Sequence, residues 1–506
     1  MTATASVALA ERRRAAPHAT RDLAGLTAVV GVLAAAISAI GSWIPSLWGD
    51  EAASVISATR PLDSLQAMLA HVDAVHGAYY LGLHAWVGLV GSSPFAVRFP
   101  SAVAVGCCAA AVTWLCGRFG SLRFAALAGM FAAALPRLTY AGEEARSSAF
   151  AAALAALLCV ILAEMMMRVQ VARRWWFAYA CVLAAGIYTF FYLGLMVLVA
   201  GAVVASTRHL RRAWRRWVVA SGAAILVALP VILFALVERH QVAFLAHRDV
   251  VNPDSVLVQM WFGAWPVAVV AWTLIAVAMI GWAQDELRRH RAGSAWRPRL
   301  EAIAVPWLVL PMGVLLASSP IVAGYSARYG TFAAPGAAVL MALGVRRLTR
   351  VRWLAVVAIA AVLTAIAPVW LAQRTPYAKN NSDWSQIAAV VRENAVAGDA
   401  IVFDDSVRPS RRPRLAMNTD TAPFAGLSDP TLKTAAADGV SWHDTADTPA
   451  DAAAHGRFAA LDRVWVVEYA TAKGADSWGI ADLEALGYHR VKAISTHRSE
   501  ISLYTR

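Results

Sequence analysis

The chain has 506 residues, of which 59% are hydrophobic and only 15% are charged. A soluble domain carries about 25% charged residues, so this composition excludes one and points to repeated crossings of a bilayer. The net charge of +13 does not imply nucleic acid, because the arginines lie in short clusters between apolar runs, where they act as orientation signals.

The first 22 residues carry Arg12, Arg13, Arg14 and Arg21. The apolar run that follows is too long for a secretory leader and lacks a small-residue cleavage signal, so it reads as a retained first helix. Apolar segments lie near 23–44, 99–116, 124–139, 148–165, 177–190, 192–206, 218–237, 264–283, 302–319, 330–345 and 354–372. A crossing needs about 20 residues. The stretch 78–91 (AYYLGLHAWVGLVG) is a twelfth candidate, short for a span and suited to a helix lying in the interface.

Charge decides between the two counts. With eleven crossings and a cytoplasmic N-terminus, the cytoplasmic segments hold 23 arginines and the external loops 7. Letting 78–91 cross would place MMMRVQVARRWW and RHLRRAWRRW outside, against the positive-inside rule. The expected fold class is a polytopic α-helical membrane protein of about 11 transmembrane helices. Residues 1–22 form a cytoplasmic tail, 23–373 a transmembrane domain with its first external loop at 45–98, and 374–506 an extracytoplasmic α/β domain.

That last region is rich in Asp, Thr, His and Gly. SDWSQIAAVVRENA (382–395) has helical periodicity after a Ser-Asp cap. GDAIVFDD, RVWVVEYA (463–470) and GYHRVKAIS (487–495) read as strands and ADLEALG as a helix. The basic loop RPSRRPR (408–414) reads as solvated. No GxGxxG follows a strand, so no nucleotide site is supported. The five cysteines, Cys107, Cys108, Cys116, Cys159 and Cys181, lie in apolar segments without metal-ligand spacing, and they read as small hydrophobes.

In the eleven-helix topology three polar stretches reach one membrane face. The first loop holds Asp50, Glu51, Asp63, His71, Asp73, His76 and Arg98. The second, LPRLTYAGEEARSS, holds Glu143, Glu144 and Arg146, and AGYSARYG holds Arg328 and Tyr329. Taken singly, Asp50-Glu51 reads equally as a helix cap, Glu143, Glu144 and Arg146 as an interfacial ion pair, and Arg328 as a snorkelling side chain. His76, beside Tyr79 and Tyr80, reads as part of an aromatic belt. Their convergence favours function, because ionisable groups near a bilayer are costly. A carboxylate can take the proton of an attacking hydroxyl, and arginines can hold a phosphate as it gains charge.

The same stretches resemble the GT-C glycosyltransferases, especially protein O-mannosyltransferases and lipid A aminoarabinose transferases. WGDEAAS resembles the family's acidic first-loop motif. HGAYYLGLHAW (76–86) resembles a loop of the form H/K-P-P-L-x-Y-W, with Gly77-Ala78 where two prolines are usual. FAVRFPSA (95–102) and SARYGTFAAP (326–335) resemble later arginine motifs. YAGEEARSSAF (140–150) resembles E-A-R-x-Y-A, with Ser148 where an aromatic is common.

The resemblance implies an inverting membrane transferase that takes a sugar from a polyprenyl-phosphate donor. It would act at the extracytoplasmic face of the plasma membrane, on a glycan, lipid or protein acceptor. Asp50 would be the general base, and Glu51 would orient the acceptor or support the loop. Arg98, Arg146 and Arg328 would contact the donor phosphate, with His76 near it and Glu143, Glu144 and Tyr329 as further substrate contacts. The loops hold no convincing metal-ligand set, so no metal or other cofactor is assigned. The alanine-, arginine- and tryptophan-rich, almost lysine-free composition resembles actinobacterial chains and favours mannose or arabinofuranose. Two competing readings are a flippase for lipid-linked sugars, which predicts charges at mid-membrane, and a non-catalytic cell-wall glycan-binding protein.

Overall fold

The computed structural model describes residues 3–237, 251–292, 298–320, 325–471, 474–475 and 477–506. The expected external Arg239 and Arg248 and the cytoplasmic-side Arg297 lie outside the described residues. The chain divides into two compact units. One comprises 1–40, 99–143 and 147–370, and the other 41–98, 144–146 and 371–506.

Helix occupies all eleven apolar segments. Six helices are long and apolar enough to cross a membrane: Thr20–Ala39, Pro94–Gly117, Ser148–Met167, Trp265–Arg291, Glu301–Ser318 and Arg352–Ala372. Two bent pairs, Leu122–Ala134 with Pro136–Gly142 and Trp214–Val227 with Leu229–Val237, raise the number to eight if each is one span. The three shorter segments are the helices Arg173–Thr189 and Ala334–Leu348 and the apolar stretch Phe191–Ser206. The chain is thus a multi-pass helical membrane protein. The stretch near 78–91 forms the helix Gly77–Val90. Its 14 residues rise about 21 Å, short of the roughly 30 Å hydrocarbon core.

Proline accounts for both bends. Leu135 leaves helical geometry at φ −58° and ψ 124°, as a residue before proline tends to, and the two helices meet at 61°. In the second pair, Pro230 has no N–H to offer the Leu226 carbonyl, and the bend is 58°. Ala334–Leu348 is buried along most of its length. A side chain at Gly344 would strike the Leu274 carbonyl of Trp265–Arg291, so glycine here lets two backbones meet.

In the second unit, β1 (Ala400–Phe403), β4 (Arg463–Thr471), β7 (Ser499–Thr505) and β6 (His489–Ser495) form a sheet in the order β1-β4-β7-β6. β1 pairs with β4 in parallel, and β4–β7 and β6–β7 are antiparallel. β5 (Gly474–Ala475) extends β4, while β2 (Leu432–Thr434) and β3 (Thr445–Ala446) pair separately. Val402, Val464, Val466, Tyr504, Leu483, Tyr488 and Phe458 form the core on one face. The expected strands are present, and β7 is an additional one that lies between β4 and β6.

The helix expected over 382–395 runs Trp384–Asn394, but the Asp383 side chain does not cap it. That carboxylate accepts instead from Thr496 Oγ1 at 2.6 Å and Arg498 N at 2.8 Å, tying the helix to the β6–β7 turn. The 408–414 loop is not fully solvated. Arg414 is buried, pairs with Asp429 and donates to Thr431 Oγ1 at 3.0 Å.

The C-terminal region and residues 41–98 fold within one unit. Ser46 N donates to Pro376 O at 3.0 Å, Ser382 Oγ to Leu47 O at 2.6 Å, and Ser385 N to Ser46 Oγ at 3.1 Å. Further along, Arg60 Nη1 donates to Ser441 O at 2.6 Å and Nη2 to Gly439 O, and Ser64 Oγ donates to Ala437 O.

Candidate active site

The WGDE stretch opens the helix Gly49–Thr59, with Trp48 extended before it. Gly49 lies against the 409–411 turn, where an added Cβ would sit 2.7 Å from Ser410 Cβ. The two carboxylates stand in the first helical turn, where the helix dipole favours negative charge. Successive helical residues diverge by about 100°, so neighbours in sequence face different surroundings.

Glu51 faces inward and is fully buried. Arg98 Nε donates to its Oε1 at 2.7 Å and Nη2 to its Oε2 at 2.6 Å, and the Ala145 backbone N–H donates to Oε1 at 2.9 Å. Arg98 also donates Nη1 to Ser42 O at 2.5 Å and Pro45 O at 2.8 Å, and Nη2 to Ser46 O at 3.3 Å. A guanidinium has five N–H donors, and all five are committed. This geometry corrects one expectation and selects between the two roles of the other. Arg98 has no donor left for a phosphate, and Glu51, shielded from any reacting atom, supports the loop. Together they hold the 42–46 turn, the start of the helix and the 144–146 loop at one point.

Asp50 is half-buried and belongs to a second cluster centred on Arg146. Arg146 Nη1 donates to the Asp50 carbonyl at 3.2 Å, and Nη2 lies 3.2 Å from His76 Nε2. A guanidinium cannot accept, so His76 Nε2 must be an unprotonated acceptor. Burial lowers the His76 pKa, the charge of Arg146 adds to the effect against a small opposing pull from Asp50, and the value falls to about 3. Tyr80 donates to Asp73 Oδ2 at 3.1 Å. Burial raises the Asp73 pKa even though Arg146 and Tyr80 lower it. Around Arg146, burial works against the charge, but Tyr80, Asp50, Asp73 and Glu144 outweigh it and raise the pKa. The result is a permanent cation ringed by carboxylates.

Of the sequence-predicted residues, Asp50, Glu51, His76, Arg98, Glu144 and Arg146 come together in the second unit. Glu143, Arg328 and Tyr329 belong to the first. There Glu143 is fully buried at the end of the helix Pro136–Gly142. Arg328 and Tyr329 lie in the 3-10 turn Ala327–Phe332, with the Tyr329 ring 4.9 Å from Tyr192 and 5.7 Å from Phe190. Asp73 and Tyr80 were named in the sequence, among the loop's polar residues and in an aromatic belt, but given no role in the site. His76 and Tyr80 are four residues apart, the spacing that places two side chains on one helical face. Asp73 has a φ of 58°, a left-handed conformation that Asp adopts more readily than most residues.

The His76 shift gives a pH prediction. The folded value of about 3 lies below the ordinary 6.5, so between them the unfolded chain binds the extra proton. Stability from this group is intact above pH 6.5 and falls as the pH drops toward 3. His76→Gln keeps an acceptor for Arg146 without a titrating ring. Its melting temperature is expected to fall less steeply over that window than that of the wild type, and equal slopes would exclude the assignment.

The fold built by these two units is shared with a solved membrane-protein structure. The chain superposes on ArnT from Cupriavidus metallidurans bound to undecaprenyl phosphate with a TM-score of 0.55 at 12% identity, covering 95% of this chain and 98% of that one. The apo state of ArnT gives the same score at 11% identity over the same shares. A weaker likeness, at a TM-score of 0.48 and 14% identity, is to the mycobacterial arabinofuranosyltransferase AftD, covering 94% of this chain and 41% of AftD. No protein-family profile and no curated protein sequence matches the chain.

Proposed function

We propose that the chain is a membrane glycosyltransferase that moves a sugar, mannose or arabinofuranose, from a polyprenyl-phosphate donor to an extracytoplasmic acceptor with inversion. The observation that carries this reading is Arg146, a half-buried cation anchored to the Asp50 backbone and to a neutral His76, in a fold shared with a protein that binds undecaprenyl phosphate.

In this reading the acceptor hydroxyl attacks the anomeric carbon and gives its proton to the Asp50 carboxylate. The bond between the anomeric carbon and the phosphate oxygen breaks, and polyprenyl phosphate leaves with the electron pair. Arg146 stabilises the charge that develops on that phosphate. His76 fixes the guanidinium without adding charge, and Asp73, Tyr80 and Glu144 hold it in place. Arg328 and Tyr329 remain candidate phosphate contacts, and Glu143 a candidate substrate contact. The reading takes all eleven apolar segments as crossings, with the N-terminus cytoplasmic and residues 374–506 extracytoplasmic.

The test of activity is transfer by the full chain in detergent from radiolabelled polyprenyl-phosphate mannose and polyprenyl-phosphate arabinofuranose to oligosaccharide acceptors. Absence of transfer from either donor would exclude this function. Topology is tested with a membrane-impermeant maleimide. Single cysteines at the exposed Gln66 and Glu484 are expected to label on intact cells, and one at the exposed Arg212 only after permeabilisation. Labelling of Glu484→Cys from the cytoplasm alone would overturn the orientation.

A further inference from the structure

The second unit carries another set of polar and aromatic side chains that plays no part in the chemistry above. Asp405 follows β1, at the carboxyl end of the parallel β1–β4 pair, where open α/β sheets commonly bind ligands. Arg412 Nη1 lies 2.8 Å from Asp405 Oδ1, while Oδ2 makes no hydrogen bond among the described residues. Trp442 and His443, both half-buried, meet edge to face with ring centroids 5.2 Å apart at 85°. His443 Nδ1 lies 3.2 Å from Asp444 O and carries a proton there, which leaves Nε2 at the other edge of the ring. Neither His443 Nε2 nor Trp442 Nε1 has a hydrogen-bond partner among the described residues.

Asn418 Nδ2, in the helix Leu415–Thr419 that follows Arg412, donates to Asp444 Oδ2 at 2.8 Å, so residues 442–444 lie against the segment that carries Arg412. Burial raises the Asp405 pKa despite the arginines beside it, which marks a partly dehydrated acceptor.

The set flanks the helix that carries Asp50. At the Asp50 end, Ser410 of the connecting 405–412 segment touches Gly49. At the far end, Arg60 binds the carbonyls of Gly439 and Ser441, next to Trp442. The helix has 11 residues and is about 16 Å long. A half-open indole beside a guanidinium, a carboxylate oxygen and an imidazole edge matches a sugar, whose ring has an apolar C–H face and a rim of hydroxyls.

We propose that Asp405, Arg412, Trp442 and His443 form a subsite for an extended acceptor glycan, holding sugar units remote from the one that reacts at Asp50. The proposal rests on the transferase reading for its second readout but not for its first. Trp442 supplies the stacking face, while Asp405 accepts from sugar hydroxyls and His443 Nε2 forms a hydrogen bond with one. Arg412 fixes Asp405 and donates at its edge.

The first readout is equilibrium binding of linear manno- and arabinofurano-hexasaccharides to the full chain in nanodiscs without donor. The wild type is expected to bind one of the two. Trp442→Ala and Asp405→Asn are each expected to weaken that affinity about ten-fold, and Trp442→Phe to restore most of it. The second readout is the preference for a hexasaccharide over a monosaccharide acceptor in transfer, expected to fall about ten-fold in Trp442→Ala. Binding of neither hexasaccharide, or equal binding by wild type, Trp442→Ala and Asp405→Asn, would overturn the subsite. Trp442-dependent binding without transfer from either donor would keep the subsite and reject the transferase reading.

Discussion

Asp50→Asn is expected to lower transfer between about a hundred-fold and ten-thousand-fold, the range for loss of a general base, while donor binding is retained. Asparagine has nearly the same shape as aspartate but cannot take a proton at neutral pH. The contact that positions Arg146 uses the Asp50 backbone carbonyl, so the substitution leaves the phosphate side of the site in place. Asp73 is the competing base, because burial raises its pKa and makes its carboxylate the stronger proton acceptor. Tyr80 already donates to one of its oxygens, which opposes that role. Asp73→Asn is therefore expected to cost less than Asp50→Asn and to act through the placement of Arg146. Steady-state transfer with donor binding measured in parallel separates the two, and a reversed order of effects would move the base to Asp73.

Much of the fold was legible because lipid imposes a strong rule, that a crossing segment must be long, apolar and helical. Every apolar run became helix, and the short 78–91 stretch stayed short. The number of crossings was less legible. Burial inside protein lets Ala334–Leu348 be brief, and proline breaks two other segments. In the C-terminal region β7 went unread because Ser499 and Glu500 disguise a strand whose remaining residues are largely buried between β4 and β6. Within the site, residue identity predicted location better than role. Sequence brought Arg98 and Arg146 forward alike as phosphate contacts, yet only burial and donor geometry separate the two. The pairing of Asp73 with Tyr80 was hidden by a turn whose left-handed residue, Asp73 itself, is not glycine.

Glu51→Gln and Arg98→Met are each expected to destabilise the protein by about 3–5 kcal/mol, because each leaves an ion buried without its partner. Both side chains are fully shielded from solvent, so water cannot replace the lost contact. The consequence differs from that at Asp50. Arg98 joins three carbonyls of the 42–46 turn to Glu51, and Glu51 in turn holds the Ala145 amide. Ala145 precedes Arg146, so loss of the pair loosens both the helix turn bearing Asp50 and the loop bearing Arg146. A double variant, Glu51→Gln with Arg98→Met, removes both charges and is expected to recover much of the stability lost in either single variant, since no buried ion remains uncompensated. It is not expected to recover transfer, because a neutral pair no longer fixes five groups at one point, and small misplacements at a reacting centre can cost about a hundred-fold. Thermal unfolding and transfer, measured on the same three variants, separate these effects. If transfer returned together with stability in the double variant, the pair would matter for folding alone and Asp50 would need no brace.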